Sequence, residues 1–129
     1  MPFAGTRVLV VEDEAMLLVA LQEMLCDMGC HVAAREAGLK AALQRAQDEE
    51  FDVAILDVNL AGTNVTPVAD ALAARGIPFV FVSGYSSGSI PLRYANHPRL
   101  EKPYRRDDLR AALIQALANG QKDSVAARQ

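Results

Sequence analysis

Five chemically active side chains stand directly after short runs that read as strands, three of these runs apolar and the last one weaker. Glu12 and Asp13 follow Arg7–Val11, Asp57 ends 52–56, Ser83 ends 79–82, and Lys102 follows a short stretch at Arg99–Glu101. If those runs are strands of one sheet, three carboxylates, a hydroxyl and an ammonium converge. Three carboxylates brought together repel, and a hard cation is what keeps all of them ionised. Mg²⁺, or Mn²⁺ in its place, takes oxygen ligands, keeps some of its waters and bridges readily to phosphate. A metal-held carboxylate facing a phosphoryl group is a nucleophile, with an aspartyl phosphate as the covalent product. The transferred group spreads its charge over three oxygens, and the cation, the Lys102 ammonium and the Ser83 hydroxyl can each take one. Taken singly, Glu12 and Asp13 read equally well as loop acids, Asp57 as a cap, Ser83 as a turn residue and Lys102 as a surface lysine. The reading rests on all of them together.

The elements that must position these residues follow from the apolar pattern. Val8 to Val11 form a continuous β-branched stretch, as expected of a strand covered on both faces. Leu18, Leu21, Leu25 and Met28 then recur at helical spacing, with Gly29 as a stop. A weaker strand is expected at 31–34, then a helix carrying Leu39, Leu43 and Ala46. The clearest strand runs over 52–56 into Asp57. A loop through Gly62 leads to Thr66 and Pro67, an N-cap followed by proline at the first helical position. That helix stops at Gly76, a fourth strand covers 79–82, and a fifth lies near Arg99–Glu101. The last helix carries Leu109, Leu113 and Leu117, with Asp107 and Asp108 at its positive end.

Five alternations of strand and helix imply an α/β fold, a doubly wound parallel sheet with helices on both faces. Ligands of such sheets bind beyond the carboxyl ends of the strands, where the five residues fall. The 84–98 stretch is too rich in Gly, Ser and Pro to fix a helix across Gly88 and Pro91, so any fourth helix is short or irregular, and the segment is expected to be mobile.

With 129 residues, 51% of them hydrophobic and 22% charged, the chain has the composition of one globular domain. A net charge of −3 offers no basic face for a phosphate backbone, which argues against direct nucleic-acid binding. The longest apolar run, 15–21, is too short for a bilayer, and the N-terminus lacks the features of a signal peptide, so a cytoplasmic protein is expected. Cys26 and Cys30 read as buried thiols, and His31 and His97 as surface or strand-edge residues.

The chain resembles a response-regulator receiver domain of two-component signalling over roughly residues 5–119. The carrying motifs are Val-Leu-Val-Val-Glu-Asp-Glu at 8–14, Ala-Ile-Leu-Asp-Val-Asn-Leu at 54–60 with Gly62 beyond, Phe-Val-Ser-Gly at 81–84 and Lys-Pro-Tyr at 102–104. The resemblance implies five parallel strands in the order 2-1-3-4-5, flanked by about five helices. It implies Asp57 as phospho-acceptor, with Glu12, Asp13, Asp57 and the backbone carbonyl of Asn59 holding Mg²⁺. It assigns Ser83 and Lys102 to the phosphoryl group, and implies a cis bond before Pro103. Residues 1–120 would form the receiver and 121–129 a polar tail. Its partners would be a histidine kinase or a histidine phosphotransfer protein, and a stand-alone receiver would act by docking. The sequence departs from the usual pattern at Ala61, where Pro is common, at Gly84 and Tyr104, and at Arg99, where an aromatic switch residue is expected. Phe-Val-Ser-Gly-Tyr is also similar in part to the Phe-Ala-Thr-Gly-x-Tyr receivers of alphaproteobacteria. A metal-dependent hydrolase using Asp57 as nucleophile is the alternative, although Asn59 stands where its general acid/base would be. A flavin module lacks its phosphate loop here, and a receiver that never accepts phosphate fits poorly with a full acidic set.

Overall fold

The computed structural model describes residues 3–84 and 90–127, with side chains through Asn119. Strands β1 (Arg7–Val11), β2 (His31–Glu36) and β3 (Val53–Asp57) alternate with helices α1 (Ala15–Asp27) and α2 (Leu39–Asp48). A two-residue hairpin follows, β4 (Asn59–Leu60) and β5 (Thr63–Asn64), then α3 (Thr66–Ala74) and β6 (Phe79–Ser83). A 3₁₀ turn at Leu92–Tyr94, β7 (Arg99–Glu101) and α4 (Arg106–Ala127) complete the order. The main sheet is parallel, β2-β1-β3-β6-β7, which is the expected order once the hairpin is set aside.

The alternation of side chains along each strand sorts the core into two layers. Leu9, Val11, Ala54, Leu56, Phe79 and Phe81 face Ala42, Ala46, Val68 and Leu72 of α2 and α3. Val8, Val10, Val53, Ile55, Val80 and Val82 face Leu21, Leu25, Leu109 and Leu113 of α1 and α4. Because both faces are covered, the central strands are apolar from Val8, Val53 and Phe79 to their carboxyl ends. There the apolar series stops at Glu12, Asp57 and Ser83. Each large side chain buried this way contributes about 1.5–3 kcal/mol, so the strand ends are held by the core behind them.

Helix α1 ends as Gly29 predicts. Gly29 has φ +94°, its N–H donates to the Cys26 carbonyl at 3.0 Å, and the Cys30 N–H donates to the Leu25 carbonyl at 3.0 Å. These are the paired bonds of a glycine-terminated helix. Helix α2 is closed from outside, since Nη1 of Arg75 donates to the carbonyls of Ala46 (2.7 Å) and Glu49 (2.6 Å).

Among the described residues, four α-helices and one 3₁₀ turn flank the sheet, in keeping with about five helices of which the fourth is short or irregular, while several local expectations are corrected. The turn at Leu92–Tyr94 lies where a fourth helix would end, while residues 85–89 of that expected irregular segment fall outside the described residues. Its second half packs against α3. Tyr94 is buried, its hydroxyl donates to Asp70 of α3, and Arg93 donates to both oxygens of Asp70 at 2.8 and 2.9 Å. His97 is half-buried and stacks on Phe79 with centroids 4.7 Å apart, whereas His31 is exposed on edge strand β2. Cys30 is buried but Cys26 is exposed. The N-cap of α3 is Val65, not Thr66, and Asn64 Oδ1 accepts the Thr66 N–H at 2.9 Å in its stead. Helix α4 runs on through 121–127, where a polar tail was expected, because Gly120 is the one helix-breaking residue among good helix formers such as Gln121, Lys122, Ala126 and Ala127.

Candidate functional site

Glu12 follows β1, and its backbone N–H is fixed by the Glu36 carbonyl at 3.0 Å. Its side chain is only 5% exposed and that of its neighbour Asp13 is half-buried. Asp57, 4% exposed, closes β3 one strand away. Oxygens of Glu12, Asp13 and Asp57 all lie within 4.8 Å of one another, so the sheet brings the three expected acids together.

Lys102 reaches this group from the far side of β6. Its Nζ lies 3.0 Å from Asp57 Oδ2, 3.2 Å from Glu12 Oε1 and 3.8 Å from Glu14 Oε1. The other oxygen of Asp57 accepts the Asn59 N–H at 3.1 Å, and Glu12 Oε2 accepts the Asp13 N–H at 3.1 Å. The peptide bond between Lys102 and Pro103 is cis, as the resemblance implied. Ser83 ends β6 half-buried, and its carbonyl accepts the Lys102 N–H at 2.8 Å, which ties the two strand ends together. Ser83, Gly84, Glu101 and Lys102 line one recess beside the acids.

Electrostatics mark this as a place made for added positive charge. Burial, reinforced by the hydrogen bond and charge of Asp57, pushes the Glu12 carboxyl up to about 8, and Lys102 only partly opposes it. Burial pulls the Lys102 ammonium down, but its bond to Asp57 and the charges of Glu12 and Asp57 outweigh that and hold it above its ordinary value. Burial first, then the charge of Glu12, pushes the Tyr104 phenol up to about 12. One ammonium against three carboxylates leaves a deficit, and an all-oxygen donor set of this kind fits a hard divalent cation.

A sequence model of the response regulator receiver domain matches residues 8–114. The chain belongs to this family. Among solved receiver domains, the solution structure of SdrG from Sphingomonas melonis Fr1 is 41% identical, with a TM-score of 0.80 over 88% of this chain and 97% of that one. The receiver domain of the sensor histidine kinase PA1611 from Pseudomonas aeruginosa PAO1, solved with magnesium in its active-site cleft, has a TM-score of 0.76 over 89% of this chain and 99% of that one. At 21% identity it is a match of fold. Among curated proteins, transcription factor SKN7 of Saccharomyces cerevisiae is 29% identical over 88% of this chain, which spans 19% of that protein's length. Five parallel strands in receiver order and a family match over this span make the chain a phospho-acceptor receiver, a signalling domain and not a conventional turnover enzyme.

Three features of the receiver's site were not read from the sequence. Glu14 stands within reach of Lys102; it was visible in the acidic motif but given no role. Tyr104 sits close enough to feel the Glu12 charge, and its aromatic type after Lys-Pro was the signal. The third is the backbone of Ala61, whose N–H donates to Asp13 Oδ2 at 3.2 Å. Among the described residues, no helix is long and apolar enough to cross a membrane.

Proposed function

We propose that Asp57 is the phospho-acceptor, receiving its phosphoryl group from a histidine kinase or a histidine phosphotransfer protein. The observation that carries this is the environment of its carboxylate. Asp57 is buried at a strand end, Lys102 binds one oxygen, the Asn59 N–H binds the other, and Glu12 and Asp13 lie alongside. A carboxylate oxygen of Asp57 attacks phosphorus, the bond from phosphorus to the donor imidazole nitrogen breaks, and an acyl phosphate forms. Glu12, Asp13, Asp57 and the backbone carbonyl of Asn59 would hold the divalent cation, with Mg²⁺ favoured by the all-oxygen set. Once bound, that cation neutralises the carboxylates and the approaching phosphoryl oxygens.

Lys102 stays with the acceptor and takes a phosphoryl oxygen after transfer, and the Ser83 hydroxyl takes another. Movement of Ser83 is passed to β7 through the Lys102 N–H. The phosphorylated form then presents an altered docking surface to a downstream protein, and the acyl phosphate is later lost to water at the same site. Residues 1–120 form the unit that does this, and the setting is the cytoplasm.

Beryllofluoride, which mimics a phosphoryl group on a carboxylate, tests the reading without a kinase. The protein should bind it in a ¹⁹F NMR titration only with Mg²⁺ present, and Asp57→Asn should abolish the bound signal. Binding that persists in Asp57→Asn would overturn the assignment.

A further inference from the structure

Between Asp57 and α3 the chain doubles back through β4 and β5, and the turn between them is formed by Ala61 at φ +49° and Gly62 at φ +90°. Two successive left-handed residues make the tight hairpin turn whose twist suits antiparallel strands. Glycine adopts this conformation freely, but alanine carries a Cβ into a region that L-residues avoid. The side chain of Asn59 supports the turn, since its Oδ1 accepts the Gly62 N–H at 2.8 Å. The Ala61 N–H turns the other way, across 48 residues of sequence, to Oδ2 of Asp13.

The usual receiver residue at this position, proline, can make neither feature. It has no N–H to donate and its ring fixes φ near −65°. The bond to Asp13 therefore exists because this chain departs from the common pattern, at a place where the backbone is held in a disfavoured conformation. Backbone outliers of this kind persist where surrounding structure imposes them and cluster at functional sites.

The geometry points to Ala61 as a positioning residue. Its amide holds the Asp13 carboxylate beside Glu12 and Asp57, and so preforms the divalent-cation site. This rests on the reading that the three acids bind a cation. Asp13 is the least buried of the three, and repulsion from its neighbours favours its rotation toward solvent. A donor on Oδ2 opposes that rotation and leaves Oδ1 for the metal. Groups that orient a metal ligand in this way are typically worth about 10- to 100-fold in metal affinity.

Calorimetric titration of the metal-free protein with Mg²⁺ tests the proposal. Ala61→Pro should raise the Mg²⁺ dissociation constant about tenfold, while Ala61→Gly, which keeps the N–H and suits the turn, should stay near wild type. Replacing Ala61 by its α-hydroxy acid keeps the Cβ but exchanges the amide for an ester, and should reproduce the loss even if proline disturbs the hairpin. In an Asp13→Ala background, which removes the acceptor, the ester should add nothing further, since two changes acting through one contact are not additive. An ester variant that binds Mg²⁺ as tightly as wild type, or that costs as much without Asp13 as with it, would overturn the proposal. Equal Mg²⁺ affinity of wild type and Asp13→Ala would instead overturn the cation reading, and this inference with it.

Discussion

Lys102 holds its ammonium 3.0 Å from Oδ2 of Asp57, a contact that spans 45 residues and reaches past β6 from the end of β7 to the end of β3. The same Nζ lies 3.2 Å from Glu12 Oε1, so one cation serves two buried carboxylates. Lys102→Ala removes the fixed positive charge aimed at Asp57. Labelling by acetyl phosphate should slow by on the order of 10²-fold, as when a preorganised donor is lost from a reaction centre. The spectral response to beryllofluoride should fall with it. A wild-type time course by intact mass would show that the contact is merely structural.

Ser83 makes a different prediction, because the proposed role belongs to its hydroxyl while its backbone makes a separate bond. The carbonyl accepts the Lys102 N–H, and alanine keeps that bond. Ser83→Ala should therefore label within a few-fold of wild type. Without the hydroxyl, amide shifts of Gly84 and Lys102 on beryllofluoride binding should shrink markedly. Wild-type shifts in the variant would remove Ser83 from the switch.

The link from Tyr94 to Asp70 gives a prediction about pH. The hydrogen bond from the Tyr94 hydroxyl, followed by that from Arg93, holds the Asp70 carboxyl below its ordinary value. A depressed carboxylate adds stability that is complete above its unfolded pKa and is lost as pH falls through the folded one. Tyr94→Phe keeps the ring contacts with Phe79 and Phe81 but removes the donor. Near neutral pH it should cost about 1 kcal/mol, read as roughly 4 °C in melting temperature. As pH falls through the folded-state pKa of Asp70, which lies below its ordinary value, the gap between variant and wild type should narrow. A gap independent of pH would mean that the bond to the ionised carboxylate contributes nothing.

The strands and the acids were legible for one physical reason. A strand buried on both faces must be apolar along its length, so runs such as Val8 to Val11 reveal both its position and the point where polar groups resume. Glu12, Asp57 and Ser83 were found as interruptions of that pattern. The β4–β5 hairpin left no such trace, because strands of two residues have no period and Ala61 gives no hint of a left-handed backbone. Tyr94 and Asp70 meet from positions 24 apart with no local pattern between them. Composition alone made all of 84–98 look unfixed, yet this pair anchors its second half to α3. Helix α4 outran its expected end because loss of apolar spacing marks where packing stops, not where a helix of Gln, Lys and Ala must.

The central claim is that Asp57 accepts a phosphoryl group at a metal-assisted site. Intact mass after incubation with acetyl phosphate and Mg²⁺ tests it most directly, with Asp57→Asn and a chelated sample run in parallel. The wild-type protein should gain one phosphoryl group, and neither Asp57→Asn nor the chelated sample should gain any. A phosphoryl gain that survives in Asp57→Asn would contradict the claim, placing the acceptor elsewhere in the chain.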